Sequence, residues 1–548
     1  MKTFLKFLAF VGILTATAGC CSRKGCRSSG EDSGILASSS VAVAQTANGK
    51  VAGYIQDGVT IFKGIPYAKA NRFEAPVQAD SWEGIRSCRQ YGPVSPQGAR
   101  SGWANDEIAF AFNWNDGVQG EDCLRLNVWT PALDSRKRPV MVWLHGGGYS
   151  AGSGQELPSY DGTSLAFAED VVVVSINHRL NVLGFLDLSA YGEKYAKSAN
   201  AGLLDIVASL KWVRDNIAAF GGDPSNVTIF GQSGGGGKVT TLLATPCAKG
   251  LFHKAIVQSG SMLRTMESKY SRKIGIATVR NLGLDASSID KISEVPYGEL
   301  LAAGEKAIAQ VKAEADRDGV ASFIFGWAPT VDGAVLPSQP FDPQAPAISA
   351  DIPMIIGTTR HEFSMTTYVP ALRNAGREEV IGILKGRYGE GTERFLELFA
   401  KAYPGSKPAD MLDADFVFRP SAIEQALRKS LQGAAPVYMY MFNWESPVLD
   451  GILRSTHCME IPFVFNNADR HASMTGGGAQ AMELASKMSH CWAEFARCGK
   501  PSAEGLPEWE PFEAEKRAVM FFDNTCKMSY SHDKELMDFI RRYPTRGF

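Results

Sequence analysis

Two separated segments carry the residue types that acyl transfer requires. Val140-Met-Val-Trp-Leu-His-Gly-Gly-Gly148 is an apolar run ending in three glycines, and Val227-Thr-Ile-Phe-Gly-Gln-Ser-Gly-Gly235 is an apolar run ending in Gly-x-Ser-x-Gly. A serine in the second could attack a carbonyl carbon while backbone N–H groups of the glycines hold the oxyanion that forms. The pattern also occurs at Gly148-Tyr-Ser-Ala-Gly152, so the chain supplies its own decoy. A nucleophile needs a strand before it and a helix after it, which projects the hydroxyl from a tight turn toward the helix N-terminus. Ser233 follows the apolar Val227 to Phe230 and precedes Lys238-Val-Thr-Thr-Leu-Leu-Ala244, whose apolar positions suit a helix packed on a sheet. Ser150 precedes Gly152-Ser-Gly-Gln-Glu-Leu-Pro158, which is loop chemistry. Ser233 is therefore the expected nucleophile and Ser150 a tethered loop serine.

A serine hydroxyl is weak until a histidine takes its proton and a carboxylate orients that histidine. In strand-turn-helix hydrolases the chain order is serine, acid, histidine, which removes His145 and His178. His253 follows Ser233 too closely to leave room for a strand and an acid, His490 sits in a helical pattern, and His532 in a polar terminal segment. Of His361, His457 and His471, His457 is preferred because it follows the apolar Val437 to Phe442 through a loop. Ile352-Pro-Met-Ile-Ile-Gly-Thr-Thr-Arg-His-Glu362 reads as a strand with Glu362 just beyond it, making Glu362 the expected acid and His361 a loop histidine. Glu460 is the alternative acid; three residues from His457, it is better suited to tethering the loop.

The elements that must position these groups alternate. Strand-like segments fall at 51–55, 59–62, 125–129, 140–144, 171–176, 227–230, 255–258, 353–356, 437–442 and 519–522, several of them apolar throughout, as in strands covered on both faces. Leu204, Val207, Leu210, Val213 and Ile217 recur at helical spacing between Leu203 and Phe220. This alternation predicts α/β architecture around a mostly parallel sheet. The stretches 262–348 and 367–429 read as mainly helical and could roof the site.

The 56 Lys and Arg residues nearly balance 58 Asp and Glu, for a formal net charge of −2 with no basic run, so nucleic acid is not an expected partner. No metal-ligand cluster or phosphate loop implies a cofactor. A 548-residue chain would ordinarily suggest several domains. With no internal repeat, and no linker after about residue 50, one is expected here. Residues 1–19 carry Lys2 and Lys6, an apolar Phe7 to Leu14 and small residues, the architecture of an export signal too short for a permanent span. Thr17-Ala-Gly-Cys20 resembles a bacterial lipobox, although Thr17 replaces the favoured Leu. A lipid-modified Cys20, a flexible tether over 20–40 and a domain over 41–548 follow, with ordinary secretion as the alternative. Membrane contact is expected only through that anchor, and the oligomeric state is left open.

The chain resembles the type-B carboxylesterase/lipase family, the cholinesterase-like branch of the α/β-hydrolases. The resemblance rests on Phe62-Lys-Gly-Ile-Pro-Tyr-Ala68, Glu121-Asp-Cys-Leu-Arg-Leu-Asn-Val128, His145-Gly-Gly-Gly148, Asn177-His-Arg-Leu180, Gly202-Leu-Leu-Asp-Ile-Val-Ala208, the run from Trp212 to Ser233, and Phe495-Ala-Arg-Cys-Gly-Lys-Pro501. It implies the α/β-hydrolase fold and hydrolysis of small-molecule carboxylic esters through an acyl-enzyme. It also implies a Ser233, Glu362, His457 triad, Gly147, Gly148 and Gly234 as oxyanion donors, and a Cys88–Cys123 disulfide, which export would permit. The pairing of Cys247, Cys458, Cys491, Cys498 and Cys526 is left open. Three positions depart from the family: Gln232 where Glu is frequent, Gly234 where Ala is, and Phe363 where Gly is. Trp114 lies near the cation-binding tryptophan of cholinesterases but is read as a packed loop aromatic. Intact catalytic residues favour an enzyme over a non-catalytic adhesion member of the neuroligin kind; a thioesterase or amidase would use the same site.

Overall fold

The computed structural model describes residues 34–98, 105–317 and 326–543. The expected signal segment, Cys20 and most of the tether lie outside the described residues. Eleven strands form the central sheet: β1 (Tyr54–Gln56), β2 (Val59–Pro66), β3 (Arg125–Thr130), β4 (Arg138–Leu144), β5 (Val172–Ile176), β6 (Gly222–Gln232), β7 (Lys254–Gln258), β8 (Met354–Thr359), β9 (Val437–Phe442), β10 (Ala518–Phe522) and β11 (Lys527–Tyr530). Their order is β11-β10-β9-β8-β7-β6-β4-β5-β3-β2-β1. The pairings from β5 through β4, β6, β7, β8 and β9 to β10 are parallel, and the edge pairings are antiparallel.

The two-residue period of the strands divides the interior in two. Val140, Val142, Val172, Val174, Ile229, Val257 and Ile356 join one core, together with Leu203, Ile206 and Leu210 of helix α1 (Ala201–Asn216) and Val239 and Leu242 of α2 (Gly234–Leu242). Met141, Trp143, Val173, Phe230, Ile256 and Ile355 join the other, where they meet Leu484, Met488 and Trp492 of the long helix Ala479–Cys498. Both faces are covered, which is why these strands read as continuous apolar runs. The late helices are Ser268–Asn281, Tyr297–Arg317, Arg377–Tyr388, Thr392–Ala402 and Arg419–Ser430. Residues 326–349 are largely irregular, so the helical reading of 262–348 holds only for its first two thirds.

Three other expectations are corrected. The segment 51–55 is two strands, because Gly53 breaks it: a Cβ there would sit 2.1 Å from the Ile61 carbonyl oxygen. Gly49–Ala52 instead joins a three-stranded sheet with Val43–Thr46 and Ile85–Ser87. The last residues of the expected tether are held, since Leu36 exchanges both backbone hydrogen bonds with Ile55 at 2.9 Å and Arg89 donates to the Ser38 carbonyl at 2.7 Å. Finally, Cys88 and Cys123 are separate thiols. Burial pushes Cys88 up to about 11, against the fields of Arg86, Arg125 and Arg89, and Cys123 up to about 12 beside Asp205. Both side chains are buried in the same core.

Candidate active site

Ser233 sits between the last residue of β6 and the first of α2 with φ 58° and ψ −124°. Such a conformation costs a non-glycine residue on the order of 1–3 kcal/mol and persists only where its surroundings enforce it. Here they do so by close approach. A Cβ at Gly231 would lie 2.6 Å from the Leu144 carbonyl oxygen, and one at Gly235 only 1.9 Å from it, so α2 crosses the end of β4 at a distance only glycine allows. The Ser233 N–H donates to Gln258 O at 2.8 Å, and its carbonyl accepts from Gly237 N–H at 3.0 Å. The serine remains partly open to solvent.

Gly147 and Gly148 adopt φ 77° and 62° beyond β4 and lie at the surface of the same site. The space a Cβ of Gly234 would fill is occupied by the Gly148 backbone, at 2.2 to 2.5 Å, so the glycine loop lies directly against the residue after Ser233. The departure from Ala at 234 is therefore used sterically, which the sequence did not reveal.

His457 and Glu362 arrive from the loops after β9 and β8. The His457 Nδ1–H donates to Glu362 Oε2 at 2.5 Å, with both side chains 1% exposed. The other carboxylate oxygen of Glu362 accepts from Ser259 Oγ–H at 2.6 Å and Thr359 N–H at 2.8 Å, and its carbonyl accepts the His457 backbone N–H at 3.1 Å. This fixes the tautomer that leaves Nε2 free to take a proton. The Gln232 amide nitrogen lies 3.3 and 3.2 Å from the two ring nitrogens, so it covers the ring face instead of lying in its plane. Phe418 stacks on the imidazole at 4.9 Å and Phe363 tilts against it at 4.4 Å. Asp415 accepts the backbone N–H groups of Val417, Phe418 and Arg419, which sets the turn carrying Phe418. Cys458, at φ 72°, donates its thiol to Gln232 Oε1 at 3.1 Å and orients that amide.

Glu460 is fully buried and accepts from Gln258 Nε2 at 3.2 Å, while Gln258 Oε1 accepts from Trp492 Nε1 at 3.2 Å. Burial, reinforced by the charge of Glu362, pushes Glu460 up to about 7. It is a tether between the histidine loop and β7. His361 bonds Ser455 at 2.8 Å, and His471 bonds the Ala111 and Phe112 carbonyls at 3.1 Å, burial holding it down to about 4. Trp114 stacks on Phe112 at 4.5 Å, as a packed aromatic would. Ser150 is exposed in the turn after Gly148. Among the described residues, no group of three or more His, Cys, Asp or Glu could hold a metal ion.

Doubly covered parallel strands with a serine elbow, a glycine loop and a histidine–carboxylate pair at their carboxyl ends define an α/β-hydrolase. The model of the carboxylesterase family matches residues 40–540. The chain is 36% identical over 514 residues to the para-nitrobenzyl esterase of Bacillus subtilis (strain 168), covering 92% of this chain and 99% of that one. It is 34% identical over 493 residues to the phenmedipham hydrolase of Pseudarthrobacter oxydans, covering 87% and 94%. A solved esterase from anaerobic Clostridium hathewayi, described as able to hydrolyse aliphatic aromatic polyesters, superposes with a TM-score of 0.82 at 37% identity over 93% of this chain and 99% of that one. The chain belongs to the carboxylesterase family. It is a carboxylic ester hydrolase acting on small-molecule esters.

Proposed function

We propose that Ser233 is the nucleophile, His457 the general base and acid, Glu362 the orienting carboxylate, and the Gly147, Gly148 and Gly234 amides the oxyanion donors. Ser233 Oγ attacks the ester carbonyl as His457 Nε2 takes its proton, and the negative oxygen of the tetrahedral intermediate accepts from the glycine amides. Collapse expels the alcohol, which takes the proton from His457 and leaves an acyl-Ser233. Water, deprotonated by His457, then releases the carboxylic acid. The observation that carries this reading is the Glu362–His457 hydrogen bond, placed beside the strained Ser233 through Gln232.

The aromatic rings of Phe363 and Phe418 around His457, and the similarity to a para-nitrobenzyl esterase, favour esters with a small aryl or benzyl group. Initial rates on the 4-nitrophenyl, 4-nitrobenzyl and methyl esters of one acid, beside a matching amide and thioester, test this. Ester turnover far above the other two is expected; equal or faster thioester or amide turnover would displace it.

The export signal, lipidation of Cys20 and anchoring to a bacterial membrane belong to the same proposal, supported by Lys2, Lys6, the apolar run and Thr17-Ala-Gly-Cys20. Among the described residues no helix is long and apolar enough to cross a membrane. Mass spectrometry of the mature N-terminus is expected to find a lipid-modified Cys20; a product beginning elsewhere would contradict it.

A further inference from the structure

Behind the glycine loop lies a buried polar cluster that the reaction above does not use. Lys238, in the second turn of α2, has no exposed surface, and Glu156 is 4% exposed. The rings of His145 and His178 stack at 5.1 Å. The Lys238 amino group donates to the carbonyl of His145 at 2.8 Å and lies 5.8 Å from the centre of the Tyr149 ring. Burial pushes Lys238 down to about 7, opposed by the charge of Glu156. Taking an amine out of water is costly unless a hydrogen bond offsets it, and an apolar residue would fill this helix position without that cost.

The geometry points to a role for Lys238: we propose that it is a positioning residue of the oxyanion hole, fixing the glycine loop to the helix that begins at the Ser233 turn. The inference rests on the proposed roles of Ser233 and the glycine amides. A trans peptide aims its C=O and N–H in opposite directions, so whatever holds a carbonyl also aims the following N–H. Three successive carbonyls of the loop are held. Gly146 O faces His145 Nδ1 at 3.0 Å, Gly147 O accepts from Ser150 and Ala151 N–H at 3.3 and 3.1 Å, and His145 O accepts from Lys238. The first two bonds come from the loop itself and fix its internal shape, aiming the Gly147 and Gly148 amides. Only the Lys238 bond comes from α2, and so ties those amides to the nucleophile. An ammonium and an amine both carry N–H donors, so the tether persists when Lys238 titrates near neutrality.

Lys238→Met keeps most of the volume and removes the donor; Lys238→Gln keeps a donor on a stem one bond shorter. Each is compared with wild type for thermal unfolding, for kcat and KM on 4-nitrophenyl butyrate, and for binding of a trifluoromethyl ketone, whose serine adduct places an oxyanion in the hole. The matching methyl ketone reports ground-state binding. Displaced oxyanion donors cost on the order of 10- to 100-fold in rate. The expected result for Lys238→Met is a kcat lower by about that factor, a parallel loss of trifluoromethyl ketone affinity, KM and methyl ketone affinity within about twofold of wild type, and a smaller loss for Lys238→Gln. If Lys238→Met does not fold, the same kcat-selective loss in Lys238→Gln is required. Wild-type kcat and trifluoromethyl ketone affinity in a folded variant would overturn the proposal, as would a loss confined to KM. Failure of the underlying reading is distinguishable, because wild type itself would then form no ketone adduct at Ser233.

Discussion

The two halves of the site are held by different means. Around Ser233 the constraints are backbone and space: positive φ, glycines at 231 and 235 where a Cβ would collide with Leu144, and the Gly148 backbone lying where a Cβ of Gly234 would be. Around His457 the constraints are side chains: Glu362 bonded to the imidazole, Ser259 and Thr359 bonded to Glu362, and Gln232 and Phe418 on the ring. A backbone device is written in a few consecutive residues. A side-chain device is assembled from distant ones, and its parts differ in importance according to which atom they touch.

The comparison predicts a graded series of losses. On the proposed roles Ser233→Ala removes the attacking atom, so turnover should fall on the order of 10⁶-fold, read as kcat at matched thermal stability. Activity retained in that variant would break the nucleophile half of the account. Glu362→Gln preserves shape but no longer selects the His457 tautomer, for an expected fall on the order of 10⁴-fold, by analogy with a serine protease triad. Glu460→Gln should lose far less, because Glu460 bonds Gln258 and not the imidazole. If the Glu460 variant lost more than the Glu362 variant, the acid would be misassigned.

Glu460→Gln also carries a stability signature. In the folded chain Glu460 holds its proton to about 7, well above its ordinary range. Between the two values the native state keeps a proton that the unfolded state has lost, so this group's contribution is complete in acid and is lost as pH rises toward 7. The amide removes that dependence. The variant's melting temperature should therefore gain on wild type between pH 5 and pH 8. A constant difference across that range would show that Glu460 does not titrate there.

The sequence made these halves legible to different degrees. Ser233 was separable from Ser150 because its neighbours set the strand and helix locally. Glu362 and His457 were reachable only through chain order, since 95 residues separate them and no local pattern joins them. Ser259, Gln258, Phe418 and Lys238 were not legible as parts of the site, because each acts by packing against residues far away in sequence. The sheet strands were legible from apolar runs covered on both faces, whereas the break at Gly53 depends on the approach of Ile61 from a neighbouring strand. The expected Cys88–Cys123 bond came from family likeness and from the expected export, with no local pattern to fix it, and the two thiols are separate here.

The central claim is that the serine in the strained turn, and not its pentapeptide twin, forms the acyl-enzyme. Labelling with a fluorophosphonate at limiting stoichiometry, followed by peptide mapping, tests it directly, because only a serine activated by His457 reacts rapidly. The account predicts one label on Ser233, lost in His457→Ala. A label on Ser150, or labelling of Ser233 that survives His457→Ala undiminished, would contradict it.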